Sequence, residues 1–240
     1  MELGVPGGIY KRVQNKLLKT GTIMKGAMLM RIMGFCLFLL WSGRVAYGQT
    51  VKTDTKTLLL TEFRGINLGI NAVVRIRQGE FQEVVAQGPE DLLQEISLEV
   101  KDGIWDIRYT GRAQSADTIK INIVVKRLTS LAIGGSGAII SDRPLKLSTA
   151  LEISLGGSGS IELDGTVPEL RVNLAGSGKI NLEGLEVQKA VVSVAGAGEA
   201  RLTVINTLEA SIAGSGKVWY NGPAQVRSSV AGSGFVRQIN

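Results

Sequence analysis

Leu151-Glu152-Ile153-Ser154-Leu155-Gly156-Gly157-Ser158-Gly159-Ser160-Ile161-Glu162-Leu163 is apolar at every second position on both sides of a Gly-Ser-Gly corner. Strict alternation reads as strand, so the stretch is two short half-buried strands joined by a glycine turn. The same arrangement recurs down the second half of the chain. Gly-Ser-Gly stands at residues 135–137, 157–159, 176–178, 214–216 and 232–234, and Gly-Ala-Gly at 196–198. The steps between copies are 22, 19, 20, 18 and 18 residues. A period near twenty marks a solenoid, in which one repeat cannot bury its apolar face without its neighbours.

Aligned on the corner, the residue two before the first glycine is Ile133, Leu155, Leu174, Val194, Ile212 or Val230. Two earlier stand Leu131, Ile153, Val172, Val192, Ala210 and Ser228, and two earlier again Thr129, Leu151, Leu170, Ala190, Leu208 and Val226. Beyond the corner the inward positions are Ile139, Ile161, Ile180, Ala200, Val218 and Val236. Leu163, Leu182, Leu202 and Tyr220 follow two residues later. Antiparallel hairpins also alternate, but they do not return the same residue class at the same phase. Stacking like on like at ~4.8 Å per layer does, which predicts an all-β parallel β-helix of about six rungs, a rod only ~30 Å long. A second turn is expected at Asp164-Gly165, Glu183-Gly184 and Asn221-Gly222, where glycine would permit positive φ.

The glycine corners resemble a phosphate cradle only superficially. A cradle needs a helix N-terminus after the glycines, and every copy here continues as strand. A calcium-binding roll would need an Asp soon after the glycines, where the chain has Ser160-Ile161-Glu162 or Lys179-Ile180-Asn181. The corners are therefore read as structural, with a stacked serine row that Ala197 can join.

The high isoelectric point, about 9.5, belongs to the leader. Of 27 basic and 21 acidic residues, residues 1–48 hold seven basic and one acidic, so residues 49–240 carry 20 of each. A neutral mature chain lacks the electrostatic footprint of a nucleic-acid partner. Residues 24–31 form a basic n-region, and 32–41 an apolar run too short to span a bilayer of roughly 30 Å. Ala46-Tyr47-Gly48 supplies small residues for cleavage before Gln49. Residues 24–48 are thus read as a signal peptide, 1–23 as a misassigned start or extra leader, and 49–240 as one exported domain. The sole cysteine, Cys36, lies in the leader without a lipobox, which excludes thiol chemistry from the mature chain. No membrane span is expected in the mature form, and no metal or cofactor.

Residues 55–130 form a less regular β-rich half, and 131–240 the repeats. Strands are expected at 58–63, 66–77, 83–86, 97–100, 104–109 and 119–125. Pro89-Glu90-Asp91 opens a short helical turn that buries Leu92, Leu93 and Ile96. Asp102-Gly103 is a hairpin signal. Trp105, Ile107 and Tyr109 share a face, which makes Trp105 core. Residues 111–118 read as a polar loop. This half is expected to cap the solenoid's N-terminal end against aggregation.

Phe63-Arg64-Gly65-Ile66-Asn67, then Gly88-Pro89-Glu90-Asp91-Leu92-Leu93 and Lys101-Asp102-Gly103, then the glycine corners, resemble the "putative autotransporter adhesin, head GIN domain" family. Its members are secreted proteins, mainly of Bacteroidetes. The resemblance covers residues 55–238 and implies a right-handed, β-helix-like fold and a periplasmic, surface or extracellular location. The adhesin label rests on analogy, and the family supplies no catalytic residues.

Many β-helices cleave polysaccharides, and Glu152, Glu162, Asp164 and Glu169 are acids close in sequence. Glycoside hydrolysis needs two carboxylates facing each other at ~5–10 Å across a cleft. The outward column Glu152, Arg171, Val191, Glu209, Arg227 instead alternates in sign, as ordinary sheet pairs do. With no histidine in the chain, the usual base near neutral pH is missing. The expectation is a non-enzymatic protein with no catalytic residue. Trp219 is the candidate binding residue: its column holds Glu162, Asn181, Arg201 and Arg237, all outward. An exposed Trp on a flat sheet suits a glycan or a surface protein. An envelope-assembly role through self-association of the solenoid ends is the alternative.

Overall fold

Copy stacks on copy in one parallel register. The computed structural model describes residues 53–111 and 118–239; the expected leader, and residues 112–117 of the expected polar loop, lie outside them. The strands of the first half are β1 (Thr53–Thr57), β2 (Gly65–Leu68), β3 (Ala72–Gln78), β4 (Glu83–Pro89), β5 (Val100–Lys101), β6 (Ile104–Ile107) and β7 (Ile119–Val125), with one short helix, α1 (Glu90–Gln94). The repeats supply β8 (Ser130–Ile133), β9 (Ala138–Ser141), β10 (Leu145–Lys146), β11 (Leu151–Gly157), β12 (Ser160–Glu162), β13 (Gly165–Gly176), β14 (Lys179–Gly196), β15 (Glu199–Gly214), β16 (Lys217–Asn221), β17 (Gln225–Gly232) and β18 (Phe235–Gln238).

The aligned columns are physical ladders. Leu155 lies beside Leu174, Leu174 beside Val194, Val194 beside Ile212 and Ile212 beside Val230. Beyond the corner Ile139, Ile161, Ile180, Ala200, Val218 and Val236 follow in step. The inward aliphatics from Leu151 to Val218 are buried, the Val, Leu and Ile side chains each contributing roughly 1.5–3 kcal/mol. Two strands per copy understate the coil, however. A third ladder runs from Leu145–Lys146 to Gly165–Thr166, on to Leu185–Glu186, and from Glu186–Val187 to Thr203–Val204. It buries Leu145, Val167, Leu185, Val187 and Val204. Register shifts fall on this side, between Leu182 and Glu186 and between Val187 and Lys189, and take the repeat step from 20 to 18 residues.

From Gly157 onward each corner needs two glycines, for different reasons, whereas a Cβ on Gly135 would meet nothing within 4 Å. The first, as at Gly157, Gly176, Gly196, Gly214 and Gly232, has φ between 115° and 126°. The last has ordinary φ, but a Cβ on Gly178 would sit 2.5 Å from Leu155 Cδ2 and 2.8 Å from the Gly159 carbonyl oxygen. Backbone bonds then join corner to corner: Ser177 N–H donates to the Gly157 carbonyl at 2.9 Å and Lys179 N–H to Gly159 at 3.0 Å. Gly165 and Gly222 adopt the expected positive φ, 128° and 100°. Gly184 does not. A side chain there would overlap the Asp164 carboxylate, so close approach rather than φ selects that glycine.

The first half does more than cap. β2 and β3 form a further coil, pairing in parallel with β8 and β9 on one side and with β6 and β7 on the other. The chain thus lays this coil first, then the outer one, then crosses back to begin the repeats. The expected strand 66–77 is accordingly broken at Gly69-Ile70-Asn71 to turn a corner. The expected strand at 58–63 is not one. Gln82 ties that segment as a loop, accepting from Phe63 N–H at 2.9 Å and donating to the Thr61 and Leu60 carbonyls at 3.0 and 3.3 Å. Antiparallel β4 covers β7, and β1 covers β4. Helix α1 appears where expected, with Leu92, Leu93 and nearby Ile96 buried. The Asp102-Gly103 hairpin has φ of 54° and 75°, and joins β5 to β6. Trp105 is fully buried, donates from Nε1 to the Ser97 carbonyl at 2.9 Å, and lies 5.6 Å from Phe63 between ring centroids.

Candidate binding surface

Trp219 is carried on β16 between inward Val218 and Tyr220, so alternation alone turns it outward. Its ladder neighbours are Arg201 below and Arg237 above. Phe235, two residues before Arg237, shares the outward face. The Trp219 and Phe235 rings meet edge to face at 4.9 Å and 80°. The Arg237 guanidinium carbon stands 4.5 Å from the Phe235 centroid, within cation–π range. On the level below, Arg201 pairs with Glu199 at 2.8 Å and Glu183 at 3.4 Å. The Glu199 hydrogen bond and charge, with Glu183 adding to them, raise the Arg201 pKa above its ordinary value.

Trp219 faces outward as the alignment predicts, but it is half-buried rather than fully exposed. Its Nε1 is covered and has no hydrogen-bond partner. What remains available is carbon surface, extended by Phe235 and edged by guanidinium groups. Tyr220 packs against the core, as the inward column predicts.

A second feature lies on the ladder before the corner. Asn173, Ser193, Ser211 and Ser229 form one outward row, Ala175, Ala195 and Ala213 the next, and between them runs a shallow trough of about 340 Å³. The sequence shows these positions as small or polar, but nothing in the pattern marks them as concave.

In their ladders, three of the four acids have no acidic neighbour. Register sets Glu152 beside Arg171, Glu169 beside Lys189 and Glu162 beside Asn181. The Ser141 hydroxyl accepts from the Asp164 backbone N–H at 2.9 Å. In the outward column of alternating sign, Arg227 reaches Glu209 at 3.6 Å. Among the described residues, no three His, Cys, Asp or Glu side chains form a group that could hold a metal ion, and no helix is long and apolar enough to cross a membrane.

The described residues form a parallel β-solenoid turned at glycine corners. The profile of the "Putative auto-transporter adhesin, head GIN domain" family matches residues 62–224, and the chain belongs to that family. Among solved structures, a "putative adhesin" from Bacteroides fragilis is similar at 20% identity and a TM-score of 0.66, covering 78% of this chain and 97% of its own. A "putative lipid binding protein" from Parabacteroides distasonis is similar at 24% identity and a TM-score of 0.51, covering 78% of this chain and 97% of its own. At these identities the likeness is one of fold. No curated protein matches the chain significantly.

Proposed function

We propose that the protein is an exported, non-catalytic, adhesin-like recognition module that holds a glycan on the face bearing Trp219. The observation that carries this reading is the Trp219–Phe235–Arg237 cluster. Two aromatic side chains held edge to face on a rigid parallel sheet offer apolar surface for a sugar ring, and adjoining guanidinium groups suit hydroxyl or carboxylate substituents. Family membership, the apolar run at 32–41 and the small residues of Ala46-Tyr47-Gly48 after it support export, with processing before Gln49. The placement of Glu152 and Glu169 beside basic residues supports recognition over hydrolysis.

The test is a glycan array followed by titration of the strongest hits, with Trp219→Ala and Phe235→Ala compared against the parent. Each substitution should weaken binding about tenfold, the equivalent of about 1.4 kcal/mol, with circular dichroism unchanged. Equal affinity in parent and variants would remove this face as the site. A protein ligand captured in place of glycans, and lost with Trp219→Ala, would keep the face and change the ligand class.

A further inference from the structure

The two ends of the solenoid differ. At the N-terminal end β7 is covered by β4, β4 by β1, and β6 by β5. At the other end β17 pairs with β15 and β18 with β16, and among the described residues no strand lies on their outer edges. The inward column records the difference. Ile153, Val172, Val192 and Ala210 are at most 3% exposed, yet Ser228 is exposed, and on the same strand Val230 is 41% exposed. Exposed edges are normally blunted by charged side chains, above all Lys, by Pro, by inward charge or by a bulge, and the one charge on β17 is outward Arg227. β17 carries no Pro, no Lys, no inward charge and no register shift.

We infer that this open end binds a second copy of the chain edge to edge, as a closed two-fold dimer in which β17 pairs antiparallel with its counterpart about Ser228. The covered N-terminal end disfavours head-to-tail stacking, so like end meets like end, and an isologous contact closes at two. The strand is self-complementary in this register. Residues opposed across an antiparallel pair share a face, so the centre must keep inward opposite inward. Centring on Ser228 sets Val226 opposite Val230 of the second copy, Ser228 opposite Ser228, and Arg227 opposite Ser229. Centring on Arg227 would oppose two guanidinium groups, and centring on Ser229 would leave Val226 facing Gly232. The dimer would also bring two Trp219 faces into one particle, but it stands without the glycan reading.

Sedimentation equilibrium of the purified chain over a wide concentration range tests this. The expected mass rises from one copy to two and stops there. Val230→Lys should return it to one copy, with circular dichroism unchanged. In the chain starting at Gln49, which lacks Cys36, Ser228→Cys should give a covalent dimer on mild oxidation, whereas the cysteine-free parent and Ser211→Cys, one level below the edge, should not. A parent mass of one copy throughout would overturn the proposal, as would growth beyond two copies. So would a dimer that survives Val230→Lys, or cross-linking equal at Ser211 and Ser228.

Discussion

At Gly176 and Ala197 the corner's demands separate cleanly. Gly176 has φ of 115°, and a Cβ there would sit 2.6 Å from the Gly157 carbonyl oxygen. Ala197 occupies the exposed middle position that serine fills in the other copies. Gly176→Ala should therefore cost on the order of 1–3 kcal/mol, lowering the melting temperature by roughly 2–4 °C per kcal/mol for a domain of this size. Ala197→Ser should leave it unchanged; differential scanning calorimetry of the two variants measures both. The alternation and the paired glycines were readable in sequence because packing repeats them on every level. The reason for Gly184 was not, because it depends on the Asp164 carboxylate arriving from the coil below. Trp219 was readable as outward but not as half-covered, since Phe235 comes from a different level.

At the scale of elements, the repeats were legible and the first half only in part. Ile66 and Leu68, then Val74 and Ile76, flank Gly69-Ile70-Asn71 in the same phase as Leu131, Ile133 and Ile139 flank the first Gly-Ser-Gly. That signal was present, but the missing Gly-Ser-Gly and the non-sequential stacking of this coil hid it. The third ladder escaped notice because its length varies with each copy, which destroys a fixed period. Segment 58–63 has the apolar content of a strand, but the Gln82 amide takes its Leu60 and Thr61 carbonyls and its Phe63 N–H. The cap itself turns on Trp105. Trp105→Ala removes a fully buried indole and should cost about 3–5 kcal/mol, whereas Trp105→Phe keeps a ring against Phe63 and loses the bond to Ser97, about 1 kcal/mol beyond its smaller volume change. Urea denaturation midpoints should fall in that order, and equal midpoints would show that the cap does not contribute to global stability.

For the whole molecule, architecture and recognition place opposite demands on the sequence. Inward columns must be aliphatic on every level, so they announce the solenoid. Outward columns share only their direction: Glu162, Asn181, Arg201, Trp219 and Arg237 lie in one ladder without a common size or charge. A binding face on such a rod is therefore visible as a break in monotony, and the aromatic pair is that break. The two tryptophans of the described residues differ usefully, since Trp105 is sealed in the core and Trp219 lies half-buried on the proposed face. The most direct measurement is tryptophan emission of the purified chain during titration with soluble bacterial and host oligosaccharides, with Trp219→Phe as the reference. Glycan recognition at this face predicts a saturable emission change with at least one oligosaccharide, absent in the variant. Binding detected by calorimetry with no change in Trp219 emission would contradict it.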